Sequence, residues 1–60
     1  MSAEEALRRG LEPLATVGES AQAGVDPCRM GLGPVPAVAA LAVKNGIGPA
    51  DYDLVELNEA

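Results

Sequence analysis

The 60-residue sequence has no Phe, no Trp and no His, and it has one Tyr and one Cys. Few large side chains are therefore available to fill a core, and a chain of this length buries only about 60% of the surface that it exposes when unfolded. Small domains usually compensate with disulfides or a metal. A single cysteine excludes an internal disulfide, and without histidine or a cysteine pair we expect no metal site. We therefore expect one domain at most, with only marginal stability if it folds alone. Three possibilities stay open: a partner chain stabilises it, it belongs to a larger parent protein, or it folds weakly.

Basic residues are also scarce, with four Lys and Arg against nine Asp and Glu and a net charge of −5. This balance argues against nucleic acid and against an anionic membrane surface as partners. The longest uncharged apolar stretch, residues 32–43, contains a Gly and two Pro and is shorter than the roughly 20 residues that span a bilayer. A single cysteine and no signal peptide favour a reducing, cytoplasmic setting.

The first half of the sequence predicts a short helix followed by a strand and a loop. Ser2 can cap the helix with Glu5 three residues later, and Gly10 can end it. Residues 14–17 include Thr and Val, which favour a strand. Residues 24–37 are rich in Gly and Pro and predict a loop.

The second half predicts a helix, which begins at one of two prolines and ends at Asn45-Gly46, and then a strand over residues 54–57. Residues 37–43 of this helix are apolar on every side, which is typical of a buried helix, yet the chain offers little material to cover it. The alternation of helices and strands predicts an α/β layered fold. Ligands of such folds collect at the carboxyl ends of strands, where Asn58 lies.

Two motifs stand at either end of the predicted second helix. Residues 30–34 read Met-Gly-Leu-Gly-Pro, and residues 58–60 read Asn-Glu-Ala. Either motif alone is weak, but the pair at this spacing resembles the thiolase family, acyl-CoA acyltransferases that make or break a carbon–carbon bond next to a thioester. Thiolases carry a Met-Gly-x-Gly-Pro loop, a helix, and a strand that ends in Asn-Glu-Ala-Phe. The resemblance covers essentially the whole chain and lacks only the final Phe.

The resemblance implies part of a layered αβαβα fold, of which this chain would hold about two helices and two strands. Residues 1–10 look like the helix that connects the two thiolase domains, and residues 11–60 look like the start of the C-terminal domain. The chain is then expected to be a fragment of the enzyme, and whether Met1 is a translation start stays open.

The resemblance also assigns site residues. Asn58 would hold a catalytic water that helps to form an oxyanion hole, and Met30 and Ala60 would line the substrate pocket. Read from the residues alone, Asn58 is rather a strand-end residue that forms a turn or caps a helix, and it is the pair of motifs that favours the catalytic role. Met30 is equally a core or loop methionine. Glu59 looks structural.

Several catalytic parts of a thiolase are absent from these 60 residues. The family's nucleophilic cysteine stands in another sequence context, so Cys28, in an Asp-Pro turn, is interpreted as an incidental thiol. The Gly-His-Pro and Cys-x-Gly-Gly-Gly motifs are missing too. Because catalytic groups that act as a unit lose most of their effect when one is removed, the 60 residues alone are expected to be inactive.

The function implied for the parent protein is reversible Claisen condensation and thiolysis of 3-ketoacyl-CoA, with acyl-CoA and CoA as substrates, no cofactor, and a homodimer or homotetramer as the assembly. The alternative is a small non-enzymatic interaction module that docks through the apolar helix at residues 37–43. Thiol-based redox sensing through Cys28 is unsupported, because the sequence shows neither a second thiol nor a neighbouring base.

Overall fold

The computed structural model describes residues 1–58, and these contain helices but no β-strand. The elements in chain order are α1 (Ala3–Arg8), a first 3₁₀ helix (Pro27–Leu32), α2 (Pro34–Asn45) and a second 3₁₀ helix (Pro49–Asp51). Both predicted α-helices are confirmed. The predicted loop at residues 24–37 is wrong in part, since it contains the first 3₁₀ helix and the start of α2.

Local signals at both ends of α1 explain its bounds. The Ser2 hydroxyl accepts a hydrogen bond from the Glu5 N–H at 3.1 Å, which satisfies one of the free N–H groups of the first turn. At the other end Gly10 has φ 66°, and the Leu11 N–H donates to the Ala6 carbonyl at 2.9 Å. This left-handed glycine closure is a Schellman motif, so the six-residue helix is capped at both ends.

The Glu5 carboxylate lies against two arginines one turn further along α1. The Arg8 Nε–H donates to Glu5 Oε2 at 2.9 Å, and the Arg9 Nε–H donates to Oε1 at 2.7 Å. These hydrogen bonds, first that of Arg8 and then that of Arg9, hold the pKa of Glu5 below its ordinary value, and the same contact raises the pKa of Arg8. The two arginine side chains are exposed and that of Glu5 is partly exposed, so the ion pairs add only modestly to the helix.

We expect α1 to lose helix content in acid. A lowered pKa means that the charged form of Glu5 favours the helix, so this stabilisation is present above the ordinary pKa of 4.5 and is lost as the pH falls through the lowered value. The ¹³Cα chemical shifts of Ala6, followed from pH 7 to pH 2, measure the helix content. Glu5→Gln should remove most of the pH dependence, whereas Glu4→Gln should keep it. Shifts that stay constant in the unmodified chain would contradict this expectation.

Both predicted strands are corrected by the structure. Residues 11–26 and 52–58 form neither helix nor strand, and the residues Leu14, Val17 and Leu54 are 104%, 98% and 80% exposed. A strand requires a neighbouring strand, because its N–H and C=O groups otherwise lack partners. Residues 14–17 and 54–57 do not pair with each other, and the described part of the chain offers them no other strand.

The first 3₁₀ helix starts at an aspartate cap. Asp26 Oδ1 accepts from the Cys28 N–H at 2.9 Å, and the Asp26 carbonyl accepts from the Arg29 N–H at 2.8 Å. Pro27 occupies the first position, where its missing N–H costs nothing. The backbone of Arg29, at φ −126° and ψ 28°, departs from helical values, so the element consists of two short turns.

α2 runs for 12 residues between the signals that the sequence predicts. Pro34 lies in its first turn, and Gly46 ends it with φ 73°, its N–H donating to the Ala42 carbonyl at 2.9 Å. The first 3₁₀ helix packs against it. None of the helices in residues 1–58 combines the length and the apolar character that a bilayer crossing would require.

Gly46→Ala is expected to unwind the last turn of α2. A methyl group at this position would meet no atom within 4 Å, so the cost comes from the positive φ alone, about 1–2 kcal/mol. The ¹³Cα shift of Asn45 should move towards its random-coil value. Gly24→Ala is the matched control, because its Cβ is equally free of contacts and its φ is not positive. An unchanged shift in Gly46→Ala would show that the glycine does not set the end of the helix.

Residues 1–58 have almost no core. Within residues 1–58, Ala6 is the buried apolar residue, at 5% exposure, and α2 contains no buried residue at all. The accessible surface is 5716 Å², whereas a folded protein of 6.1 kDa is expected to expose about 3,650 Å². The radius of gyration, 15.6 Å, exceeds the roughly 10 Å of a compact chain of this length. The expectation that α2 lacks enough chain to cover it is therefore confirmed.

Candidate functional site

Met30 lies in the first 3₁₀ helix, which precedes α2, and the residue is 63% exposed. Its carbonyl accepts from the Gly33 N–H at 3.0 Å, which ties the motif to the beginning of α2. A Cβ on residue 33 would stand 3.1 Å from this carbonyl oxygen. The second glycine of the Met-Gly-x-Gly-Pro motif is thus explained by a close backbone approach.

A surface hollow of about 410 Å³ opens beside the same element. Its wall is mostly apolar, and Asp26 and Arg29 contribute the charged groups. The lining residues are Val25, Asp26, Arg29, Leu32, Val35 and Pro36. A second hollow of about 490 Å³ follows one apolar side of α2 and reaches Pro49. Neither hollow is lined by Met30 or by Asn58.

Asn58 is the last residue that the structure describes, and its side chain is exposed. It takes part in none of the side-chain hydrogen bonds found in residues 1–58. Residues 59 and 60, and with them the predicted pocket residue Ala60, lie outside the described part of the chain. Neither of these hollows, and none of the hydrogen bonds found in residues 1–58, joins Asn58 to Met30, so the catalytic role of Asn58 and the pocket roles of Met30 and Ala60 stay predictions.

The connection between α2 and the segment that carries Asn58 is held by side chains that sequence reasoning missed. Asn45 Oδ1 accepts from the Ile47 N–H at 3.1 Å, and Asn45 Nδ2 donates to the Tyr52 hydroxyl, also at 3.1 Å. Asp51 Oδ2 accepts from the Gly48 N–H at 2.8 Å. The Asn-Gly pair that marks the end of a helix was the available signal, but it does not reveal that Tyr52 is the partner.

Lys44, the neighbour of Asn45, connects α2 to residues 11–26. Its Nζ donates to the Ser20 carbonyl at 2.8 Å and lies 3.9 Å from a carboxylate oxygen of Glu19. Segment 11–26 therefore contacts α2 near its C-terminal end, and the segment that carries Asn58 follows this same end of the helix.

The Cys28 thiol is free and exposed. Its backbone N–H serves the Asp26 cap, and none of the side-chain hydrogen bonds in residues 1–58 involves its sulfur. None of the side chains in these residues is therefore hydrogen-bonded to the thiol as a base that activates a nucleophile would be. Over the same residues, no three side chains of His, Cys, Asp or Glu come together as a possible metal site.

Comparison with known proteins agrees with the motifs. The family of the thiolase C-terminal domain matches residues 11–60. Over its whole length the chain is 53% identical to an acetyl-CoA acetyltransferase of Paracoccus denitrificans, and 52% identical both to an acetyl-CoA acetyltransferase of Rhizobium meliloti (strain 1021) and to a 3-ketoacyl-CoA thiolase of Marinomonas sp. (strain MWYL1). It spans 15% of the length of each of these relatives. No solved structure matches the chain.

The family match covers more than half of the chain, and it includes both the Met30 loop and the segment that ends at Asn58. The predicted α/β class is that of the matched domain. The resemblance drawn from two short motifs is thereby confirmed, and the chain belongs to the family of the thiolase C-terminal domain.

Proposed function

We propose that this chain acts as a segment of a thiolase, an acyl-CoA acyltransferase that catalyses reversible Claisen condensation and thiolysis of 3-ketoacyl-CoA. The observation that carries the proposal is the identity of 52–53%, over all 60 residues, to relatives named as such enzymes. Residues 1–10 would be the connecting helix and residues 11–60 the start of the C-terminal domain. In support, the C-terminal capping motif of α1 ends around Gly10, and the family match begins at residue 11.

In the complete enzyme, residues 14–17 and 54–57 would be strands of a layered αβαβα fold. Their side chains Leu14, Val17 and Leu54 are exposed here, and a paired sheet would bury them at a gain of about 25 cal/mol for each Å² of apolar surface. The exposed sides of α2 would be covered in the same way. The large surface of the isolated chain supports an arrangement in which other parts of the enzyme supply these contacts.

Asn58 would act where charge develops. Condensation and thiolysis both place negative charge on a carbonyl oxygen of the thioester, and preorganised donors in a site without bulk water stabilise such charge. The Asn58 amide is neutral and has two N–H donors, and it would hold the water that completes the oxyanion hole. Met30 and Ala60 would form walls of the acyl pocket, and the nucleophile and the acid–base groups would come from elsewhere in the enzyme.

The CoA thioester would be a substrate, so no cofactor is proposed, and the parent enzyme would be a cytoplasmic homodimer or homotetramer. The net charge of −5 supports the expectation that neither nucleic acid nor a membrane surface is a partner. The alternative, an interaction module that docks through α2, has the exposed helix in its favour. Identity to three enzymes over the whole chain favours the thiolase.

A chimera tests the proposal. The 60 matched residues of the Paracoccus denitrificans relative are replaced by this chain, and the loss of acetoacetyl-CoA in the presence of CoA is followed. We expect a folded chimera with thiolase activity, since the two segments are 53% identical. A version of the relative with a flexible Gly-Ser linker of equal length in place of the segment is the control and should be inactive. A folded chimera as inactive as this linker control would contradict the proposal.

A further inference from the structure

The two motif residues of the proposed site, Met30 and Asn58, attach to opposite ends of α2. The Met30 carbonyl is bound to the Gly33 N–H at the beginning of the helix. The segment of Asn58 leaves from the other end, where Asn45 and Tyr52 are hydrogen-bonded. For both residues to reach one site, the segment after Tyr52 must run back along the helix.

The lengths of the two elements agree with such a return. The 12 residues of α2 rise by about 18 Å at 1.5 Å per residue. Asn58 follows Tyr52 by six residues, which span about 20 Å in a strand at 3.3 Å per residue. Elements joined by a short connection lie antiparallel and adjacent. A strand that starts beside Asn45 would therefore bring Asn58 level with the Met30 end of α2.

Residues 46–52, which connect α2 to the segment of Asn58, fix the point at which this segment turns back along the helix. Gly46 turns the chain with φ 73°, and the Gly48 N–H bound to Asp51 closes the second 3₁₀ turn. Tyr52, with φ −89° and ψ 134°, is already extended. Of the side-chain hydrogen bonds found in residues 1–58, that between Asn45 Nδ2 and the Tyr52 hydroxyl is the one that joins α2 to the segment of Asn58.

We propose that Asn45 and Tyr52 are positioning residues for Asn58, because their hydrogen bond fixes the register at which the segment of Asn58 returns along α2. A slip of one residue would move Asn58 by about 3.3 Å and turn its amide to the opposite face of the strand. The inference rests on the proposed thiolase function, and it adds two residues that neither motif contains.

The first test uses the active chimera. Tyr52→Phe removes only the hydroxyl, and Asn45→Ala removes its partner. Each should lower kcat by about tenfold with KM within twofold, which is less than the roughly 10²-fold that a misplacement of 1 Å can cost. Asn45→Asp should keep the kcat of the unmodified chimera, since its carboxylate can accept hydrogen bonds from both the Ile47 N–H and the Tyr52 hydroxyl. Lys44→Ala is the matched control. It removes a hydrogen bond at the same end of α2, but one that is made to the Ser20 carbonyl and not to the segment of Asn58. It should therefore leave kcat within twofold.

The second test separates positioning from general stability. If Tyr52 acts through Asn58, Tyr52→Phe should lower kcat no further in a chimera that already carries Asn58→Ala. An equal loss in both backgrounds, or a kcat within twofold in both single variants, would overturn the inference while the activity of the unmodified chimera still supported the thiolase function.

A crystal structure of the chimera decides the geometry independently of activity. We expect the Asn45–Tyr52 hydrogen bond to be present and Asn58 to lie beside Met30. An Asn58 at the far end of α2, or a Tyr52 hydroxyl turned away from Asn45, would overturn it even if the chimera were inactive.

Discussion

Asn58→Ala in the chimera is expected to lower kcat for acetoacetyl-CoA thiolysis by about 10²–10³-fold, the usual effect of losing one oxyanion-hole donor, which here is the water that Asn58 would hold. Because the donor acts on charge that is present mainly in the transition state, KM should change little. The measurement is a steady-state titration with acetoacetyl-CoA and CoA, corrected for the folded fraction of each preparation. Cys28→Ser should stay within twofold of the unmodified chimera, because that thiol is exposed and lies outside the proposed site.

Asn58→Asp distinguishes the catalytic role from the structural alternative. Asp replaces Asn well at a helix cap or in a turn, so a structural Asn58 would tolerate this change with little loss. A catalytic Asn58 would not, since a carboxylate has no N–H to donate to the water of the oxyanion hole and its charge repels the developing oxyanion. Asn58→Ala and Asn58→Asp that both retain more than about a third of the chimera's kcat would contradict the oxyanion-hole role.

The second large effect concerns folding. The isolated 60-residue chain is expected to show no cooperative thermal transition, although a folded protein of this length would absorb about 40 kcal/mol on unfolding near 60 °C. The physical reason is the missing core, since Ala6 is the buried apolar residue of residues 1–58 and α2 contains no buried residue. Such burial cannot offset a backbone entropy cost of about 1–2 kcal/mol per residue.

Scanning calorimetry and far-UV circular dichroism of the isolated chain test this expectation. We expect a broad, shallow loss of helix signal without a heat-absorption peak. The chimera is the control, because the same 60 residues there should take part in one sharp transition. A calorimetric peak of about 40 kcal/mol from a monomeric isolated chain would contradict the view that these residues need other parts of a larger protein.

The two α-helices were predictable because their signals are local. Ser2 and Gly10 bound α1, and Pro34 and Gly46 bound α2, each through hydrogen bonds or a backbone angle within a few residues. The first 3₁₀ helix was missed because Gly and Pro, which usually mark loops, also suit tight turns. Here the Asp26 cap starts the first of two such turns, which follow each other as one short element.

The strands could not form for a reason that is not local. Residues 14–17 and 54–57 have the composition of strands, but a strand depends on a neighbour, and residues 1–58 provide none. The site shows the same limit. Met30 and Asn58 were assigned through motif resemblance and not through geometry. The hydrogen bond between Asn45 and Tyr52 joins side chains seven residues apart, and no periodic pattern predicts it.

The thiolysis rate of the chimera tests most directly whether these 60 residues are a working thiolase segment. We expect a kcat within about tenfold of the Paracoccus denitrificans enzyme, which corresponds to about 1.4 kcal/mol of transition-state stabilisation. The linker control should show only the background loss of acetoacetyl-CoA. A chimera that folds, unfolds in one cooperative transition and still has no activity above this background would contradict the proposed function.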